Sequence, residues 1–225
     1  FSWYDSASIN CGNCVHKALE ETYGEYMAKG NFPSLIFFQN AFRGELRFQG
    51  VDKAMERDCL NKMRTLKGWF DRESAHPVMP IDLEKKLIVT VGDNIIFTGK
   101  YDKVEWEDEK KASVRILDYK TGMPDKHIKS IDKCKDLASA DCDGYLRQLV
   151  AYKLLFERAK RESKGRKVGS LTLVFIEPLS EKISRAALEK GDYVSKSVQV
   201  TDAMVADLEK IIKDVWGRIK ELRFE

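Results

Sequence analysis

Two short stretches carry most of the chemistry in this sequence: Phe97-Thr98-Gly99-Lys100-Tyr101-Asp102 and Ile116-Leu117-Asp118-Tyr119-Lys120-Thr121-Gly122. Side chains alternate faces along a strand, so Asp118 and Lys120 project to one side with Val114 and Ile116. A carboxylate and an ammonium therefore end a run of apolar positions. Charges half-buried in this way are costly unless each has a partner. Asp102 stands in the preceding strand-like run, in parity with Ile96, Thr98, Lys100 and Val104. If the two runs pair through the charged loop 107–111, Asp102 and Asp118 meet on one face. Two such carboxylates repel unless a cation sits between them. Oxygen donors of this kind suit Mg²⁺ or Mn²⁺. A metal held by two carboxylates with a lysine alongside is a site for phosphate chemistry. The ion polarises a phosphoryl oxygen and activates water, and the lysine orients that water or stabilises developing charge. By spacing alone, an Asp-x-Lys at a strand end is more often a surface ion pair.

The company of these residues sharpens the reading. Gly99-Lys100-Tyr101-Asp102-Lys103-Val104-Glu105 comes first, then Asp118-Tyr119-Lys120-Thr121-Gly122, then Gln148-Leu149-Val150-Ala151-Tyr152. In that order they resemble the PD-(D/E)xK nuclease superfamily in its RecB-like branch, which includes nuclease domains fused to UvrD/Rep-type helicases. An upstream helical His in a small-residue context matches Gly12-Asn13-Cys14-Val15-His16-Lys17-Ala18. The resemblance implies that His16, Asp102 and Asp118 bind the metal, with the Tyr119 carbonyl as a further ligand, and that Lys120 positions the attacking water. Gln148 and Tyr152 lie four apart and share a helix face; the resemblance has them orient the site and touch the DNA backbone. Lys103 stands where the family usually has Arg, and Glu105 where it has Asp, and neither change removes a ligand. Taken alone, His16 beside Val15 and Leu19 reads as a core or boundary histidine, and Tyr152 as ordinary core. Glu84 stands where related domains often carry an acidic residue, yet it reads as a solvated surface glutamate.

These residues need a scaffold. Apolar residues recur at helical spacing from Cys14 to about Ala28, with a stop near Gly30 and Pro33, and again from Val51 to about Phe70. Three strand-like runs follow, over Lys86–Val91, Ile95–Trp106 and Ser113–Lys120, with Gly92-Asp93-Asn94 as the first turn. A polar, Lys-rich connection with Lys126, Lys129, Lys133 and Lys135 leads to a helix over Tyr145–Arg161. Leu171–Ile176 and Tyr193–Val200 read as strands. Ala203–Leu222 reads as a final helix with Thr201 and Asp202 as candidate N-caps. This order predicts an α/β fold, a mixed central β-sheet flanked by helices with a restriction-endonuclease-like core.

Composition agrees. The chain has 225 residues, 43% hydrophobic and 33% charged, with 39 Lys+Arg against 36 Asp+Glu. That excludes a disordered chain, and the formal charge of +3 is too mild to demand a nucleic-acid partner by itself. No apolar run approaches the roughly 20 residues a membrane helix needs. Gly99-Lys100 lacks the glycine spacing of a phosphate-cradling NTPase loop, and no Gly-x-Ser-x-Gly or His-Glu-x-x-His occurs. Five scattered cysteines suggest free thiols in a reducing compartment, with a four-Cys metal site on Cys11, Cys14, Cys134 and Cys142 as the alternative. Some relatives hold an iron–sulfur cluster with three cysteines after the Gln-x-x-x-Tyr helix. No Cys follows Cys142, so none is expected here.

The chain opens at Phe1 with neither Met nor a leader, which suggests one domain over residues 1–225 excised from a longer polypeptide. The expectation is a cytoplasmic, Mg²⁺- or Mn²⁺-dependent deoxyribonuclease domain. Its partners would be single- or double-stranded DNA ends and the helicase domains of the same or another chain, with no membrane. A catalytically inactive DNA-binding scaffold of the same fold is the competing reading. A site-specific restriction endonuclease is a weaker third.

Overall fold

The computed structural model describes residues 3–122, 124–177 and 194–221. Five strands form a mixed sheet, mostly antiparallel with one parallel pair, and helices flank it. Two further strands form a separate antiparallel ribbon. The chain divides into two compact units: residues 1–83, 119–124 and 173–195 make the first, and the rest the second.

The first unit is built from α1 (Trp3–Lys29), α2 (Leu35–Phe48), α3 (Lys53–Thr65), α4 (Lys67–Ala75) and the short β1 (Asp82–Leu83). Its core joins Val15, Leu19 and Tyr23 of α1 to Phe38 and Phe42 of α2, Met63 of α3, Trp69 and Phe70 of α4, and Tyr119. The helix α2 is a feature the sequence reading missed. The run Leu35-Ile36-Phe37-Phe38 hides its period, although Phe38, Ala41, Phe42 and Leu46 are the buried ones and Ser34 caps the start through the Phe37 N–H. The single helix expected over Val51–Phe70 is two. Asp52 caps the first by accepting from the Ala54 and Met55 N–H groups, both at 2.9 Å. Its hydrogen-bond ladder then tightens at buried Leu66, whose N–H reaches back only three residues to the Met63 carbonyl.

In the second unit, β2 (Lys86–Val91) and β3 (Ile95–Lys100) form the ribbon, in register Lys86↔Lys100 through Val91↔Ile95. Leu87, Val89 and Val91 point inward and Lys86, Ile88 and Thr90 outward, the strict alternation the sequence carries. The strand expected over Ile95–Trp106 is broken. Residues 95–100 pair with β2, whereas β4 (Lys103–Trp106) pairs with β5 (Ser113–Lys120) in the larger sheet. The chain changes sheets at Tyr101-Asp102, with the Tyr101 ring buried 6.1 Å from that of Phe156.

The Lys-rich connection is partly helical, as α5 (Pro124–Lys133), and α6 (Gly144–Arg158) follows with Asp143 as its N-cap. A four-residue helix α7 (Lys160–Ser163), β6 (Lys167–Phe175), β7 (Ser195–Val198) and α8 (Asp202–Lys220) follow among the described residues. Thr201 caps α8 by accepting from the Met204 N–H at 3.2 Å. Tyr193, Leu222, Met123 and the side chain of Lys126 lie outside the described residues. The larger sheet runs in the order β1-β4-β5-β6-β7. No helix among the described residues is long and apolar enough to cross a membrane.

The cysteines depart from the free-thiol expectation. Cys11 is joined to Cys59, and Cys134 to Cys142, which also removes the four-Cys metal site. The spacing gave no sign of either pair, because α1 and α3 are brought together only by the core between them. Cys14 alone is free, and it is buried. Burial, then the charge of Glu45, pushes its thiol up to about 12, so it stays protonated and inert at neutral pH.

Candidate active site

Asp118 lies near the end of β5, 2% exposed. The Tyr152 hydroxyl donates to its Oδ1 at 2.7 Å, and the Gln148 side-chain amide donates to the Tyr152 hydroxyl at 2.7 Å. The four-residue spacing of Gln148 and Tyr152 makes this possible, since both leave one face of α6. Burial, then the charge of Asp118, raises the Tyr152 hydroxyl far above the ordinary tyrosine range. The phenol therefore keeps its proton over all working pH, and Asp118 keeps its donor. At the other end of α6, Asp143 accepts from the Tyr145 N–H at 2.8 Å and fixes where the helix starts.

The register of β4 on β5 sets the second carboxylate. Lys103 lies opposite Leu117 and Val104 opposite Ile116, so Asp102 and Asp118 each stand one residue beyond the last β4–β5 pair, and the charges of both bear on the Tyr152 hydroxyl. Asp102 is 8% exposed, at the bend where the chain changes sheets. Its carbonyl accepts from the Glu84 N–H at 2.9 Å. Glu84 is a third acidic group here, and reading it as solvated was incorrect: its side chain is only 8% exposed and ion-paired to Lys100. Its carboxylate lies within 4.8 Å of that of Asp102. Two oxygens on one Mg²⁺ are at most about 4.2 Å apart, given metal–oxygen distances of about 2.1 Å, so a small adjustment lets both carboxylates reach one ion. Glu84 has a φ of 46°, unusual for a residue with a Cβ; such backbone costs about 1–3 kcal/mol and persists only where the surrounding structure holds it. The signal that could have found it is the hairpin register, which carries Glu84 just past Lys86↔Lys100.

Gly99 has a packing reason. A Cβ there would lie 2.5 Å from a methyl carbon of Leu155, so β3 packs close against α6 and a side chain at this position would require Leu155 to shift. On the opposite parity of β4, Lys103 and Glu105 are both buried and 2.9 Å apart, and Arg115 completes the pairing with its Nε 2.8 Å from Glu105. The two family departures at Lys103 and Glu105 are thus charge partners of each other.

The remaining expected residues belong to the first unit. His16 is half-buried on α1. Tyr119 and Lys120 follow Asp118 on the same strand. The Tyr119 side chain alternates away from that of Asp118. It is buried in the helical core, where its hydroxyl donates to that of Tyr23 at 3.1 Å and Tyr23 donates in turn to Glu73. Burial, with Tyr119 and Glu73 adding to it, holds the Tyr23 hydroxyl well above its usual range. The structure thus brings Asp102, Asp118, Gln148 and Tyr152 together in the second unit and adds Glu84 to them. A donor set of carboxylates suits a hard divalent cation.

Known proteins bear on this arrangement. Two solved structures are similar to the chain. One, the protein SSO0001, is 12% identical with a TM-score of 0.37, covering 88% of this chain and 84% of its own. The other, from Eubacterium rectale and described as a candidate exonuclease, is 13% identical with a TM-score of 0.42, covering 94% and 81%. No curated protein matches in sequence. The family model of the PD-(D/E)XK nuclease superfamily matches residues 4–225, nearly the whole chain. By that match the chain belongs to the PD-(D/E)XK nuclease superfamily.

Proposed function

We propose that this protein is a metal-dependent deoxyribonuclease that hydrolyses phosphodiester bonds, of the RecB-like branch. The observation that carries the reading is the buried Asp118 held by the Gln148–Tyr152 relay, with the buried Asp102 just past the last β4–β5 pair and its charge also acting on Tyr152. Burying two carboxylates costs several kcal/mol unless a counter-charge offsets it. A divalent cation, Mg²⁺ or Mn²⁺, supplies that charge and, when bound, polarises the scissile phosphate and lowers the pKa of water.

Asp102 and Asp118 would be its carboxylate ligands, with Glu84 as a third. His16 would add an imidazole and Tyr119 its backbone carbonyl. A mixed oxygen and imidazole set favours Mn²⁺ over Mg²⁺ relative to oxygen alone. Lys120, two residues past Asp118, would hold the attacking water and stabilise charge on the phosphate. The Tyr152 hydroxyl acts on Asp118 and not on substrate: it fixes which carboxylate oxygen stays directed toward the metal. Gln148 fixes the phenol in turn.

The substrate would be the sugar-phosphate backbone of single- or double-stranded DNA ends, read without base contacts. The chain would act as one nuclease domain over residues 1–225, working in the cytoplasm beside helicase domains of its own or a partner chain in DNA repair. The test is incubation of the protein with labelled single- and double-stranded DNA in Mg²⁺, Mn²⁺ or EDTA. Cleavage in either metal and none in EDTA supports the reading. DNA binding without cleavage in any metal would establish the scaffold alternative.

A further inference from the structure

A second feature of α6 lies at its other end. The C-terminal turns of α5 and the loop 134–142 enclose a cavity of about 630 Å³ lined by Lys129, Ser130, Lys133, Lys135 and both cysteines of the Cys134–Cys142 disulfide. Lys129 and Lys133 are four apart and share a helix face, and their charges lie where the C-terminal helix dipole favours cations. The loop is built rather than loose. Asp136 accepts from the Ala138 N–H at 2.8 Å, Ser139 Oγ from the Asp141 N–H at 3.2 Å, and Ser130 Oγ donates to the Asp141 carbonyl at 3.2 Å. Arg147 of α6 donates to the Leu137 carbonyl at 2.7 Å and also to that of Ser139. His127 of α5 sits 3.0 Å from Asp143, the residue after Cys142 and the N-cap of α6.

We propose that this cavity is a docking site for the phosphate backbone of a DNA strand, with Lys129, Lys133 and Lys135 as the phosphate contacts, and that the Cys134–Cys142 disulfide keeps it assembled. The inference rests on the nuclease reading and deepens it by naming where the strand is held outside the carboxylate cluster. Lysine binds phosphate as a point charge without regard to base sequence. Asp143, next to Cys142, is the N-cap of α6, and Tyr152, the donor to Asp118, stands nine residues further along, about 13 Å of axial rise, so one helix ties the cavity loop to the carboxylate. Asp136 and Asp141 also line the cavity, so its three lysines leave a net charge of +1, and the phosphate contacts are assigned to the lysine side chains themselves.

The disulfide makes the site responsive to redox state. Cys134 is half-exposed, whereas Cys142 is 5% exposed, so a reductant reaches Cys134. A thiolate of a cellular dithiol attacks the Cys134 sulfur and breaks the bond, and Cys142 leaves as a thiolate that takes up a proton. The second thiol of the reductant resolves the mixed disulfide and frees Cys134. Two electrons pass to the protein and the dithiol leaves as its own disulfide. Disulfides in reducing compartments are typically transient ones of this kind. Reduction opens the loop next to Asp143 and separates the lysines of α5 from Lys135.

The experiment is fluorescence anisotropy of a labelled single-stranded oligonucleotide in EDTA, across a salt series. It compares the wild type, K129Q/K133Q/K135Q and C134S/C142S, which mimics reduction while leaving Cys11–Cys59 intact. Cleavage with Mn²⁺ is read in parallel. Each phosphate contact on a single strand contributes about 0.7 to the log–log salt slope, so the triple variant should be shallower by about 2. C134S/C142S should bind more weakly with a smaller change in the same direction, as should wild type treated with a dithiol. An unchanged slope in the triple variant overturns the docking site, and wild-type binding by C134S/C142S overturns the redox control. If the wild type cleaves while the triple variant keeps its slope, this inference fails alone and the nuclease reading stands. Lysine-dependent binding without any cleavage supports the docking site and overturns the nuclease reading.

Discussion

At the scale of single residues, the decisive group is a tyrosine that does no chemistry of its own. The Tyr152 hydroxyl reaches Asp118 from α6 and is itself oriented by Gln148. Tyr152→Phe removes the donor from a buried carboxylate, which costs about 1–3 kcal/mol by the usual penalty for losing a buried partner. The melting temperature should fall accordingly, and metal affinity with it. Asp118→Asn acts in the opposite sense on the empty protein. It removes one charge from a crowded acidic site and keeps the shape, so the metal-free variant should melt slightly higher than wild type. If Mn²⁺ binds this site, a hundredfold excess over Kd should stabilise the wild type by about 2.7 kcal/mol, roughly 5–10 °C for a chain of this size. Asp118→Asn should gain little. Equal shifts in differential scanning calorimetry would mean that the cation binds elsewhere.

Strand parity made Asp118 legible, whereas Gln148 and Tyr152 were legible only through the family resemblance, since a four-residue helical step by itself is shared by any core pair. Glu84 was not, since its burial depends on the way the chain turns to meet Lys100 and Asp102. Only the β2–β3 register, which carries Glu84 just past Lys86↔Lys100, points to it.

At the scale of elements, the alternation of β2 was readable residue by residue. The single long strand over 95–106 was not a single strand. A continuous apolar–polar alternation does not reveal that a chain changes partners at Tyr101-Asp102, because both halves satisfy the same period. That break is where Asp102 sits, so the misread boundary and the candidate site coincide. The helix α2 was lost behind a run of four apolar residues for the opposite reason: too much hydrophobicity, not too little.

Two element junctions are testable. Cys11–Cys59 ties α1 to α3 across a separation of 48 residues, and a loop of that size is worth about 4 kcal/mol in the chain-entropy account. C11S/C59S should therefore lose a large part of the stability seen by chemical denaturation. The junction of α6 with β6 is electrostatic. Burial raises the Glu157 carboxyl, but the Val168 N–H at 3.0 Å and the ammonium groups of Lys153 and Lys167 outweigh it and hold the group below the usual carboxylate range. Its stabilisation is thus complete above the unfolded value near 4.5 and is lost as pH falls through the lower folded value. Glu157→Gln should lower stability at neutral pH, where the stabilisation is complete, and flatten the acid limb of the stability–pH curve as the two proteins converge in acid. An acid limb identical to wild type would show that the junction contributes nothing to it.

At the scale of the whole molecule, a formal charge of +3 on 225 residues gives no strong field of its own. Any affinity for DNA must come from local placement of lysines and from metal, and it should be steeply salt-dependent and indifferent to sequence. A strong sequence preference at constant salt would favour a site-specific endonuclease instead. The family was legible from three spaced motifs, which the superfamily match over residues 4–225 bears out. The disulfides were not, because pairing is a property of the folded core.

The account stands or falls on Asp118. The direct measurement is the cleavage rate of end-labelled single- and double-stranded DNA in Mn²⁺ by wild type and Asp118→Asn, purified side by side to exclude a contaminating nuclease. Wild type should cleave, EDTA should abolish it, and Asp118→Asn should be slower by at least about a hundredfold, the scale of removing one preorganised electrostatic group. Equal rates for the two proteins would contradict the assignment of this carboxylate, and with it the active site described here.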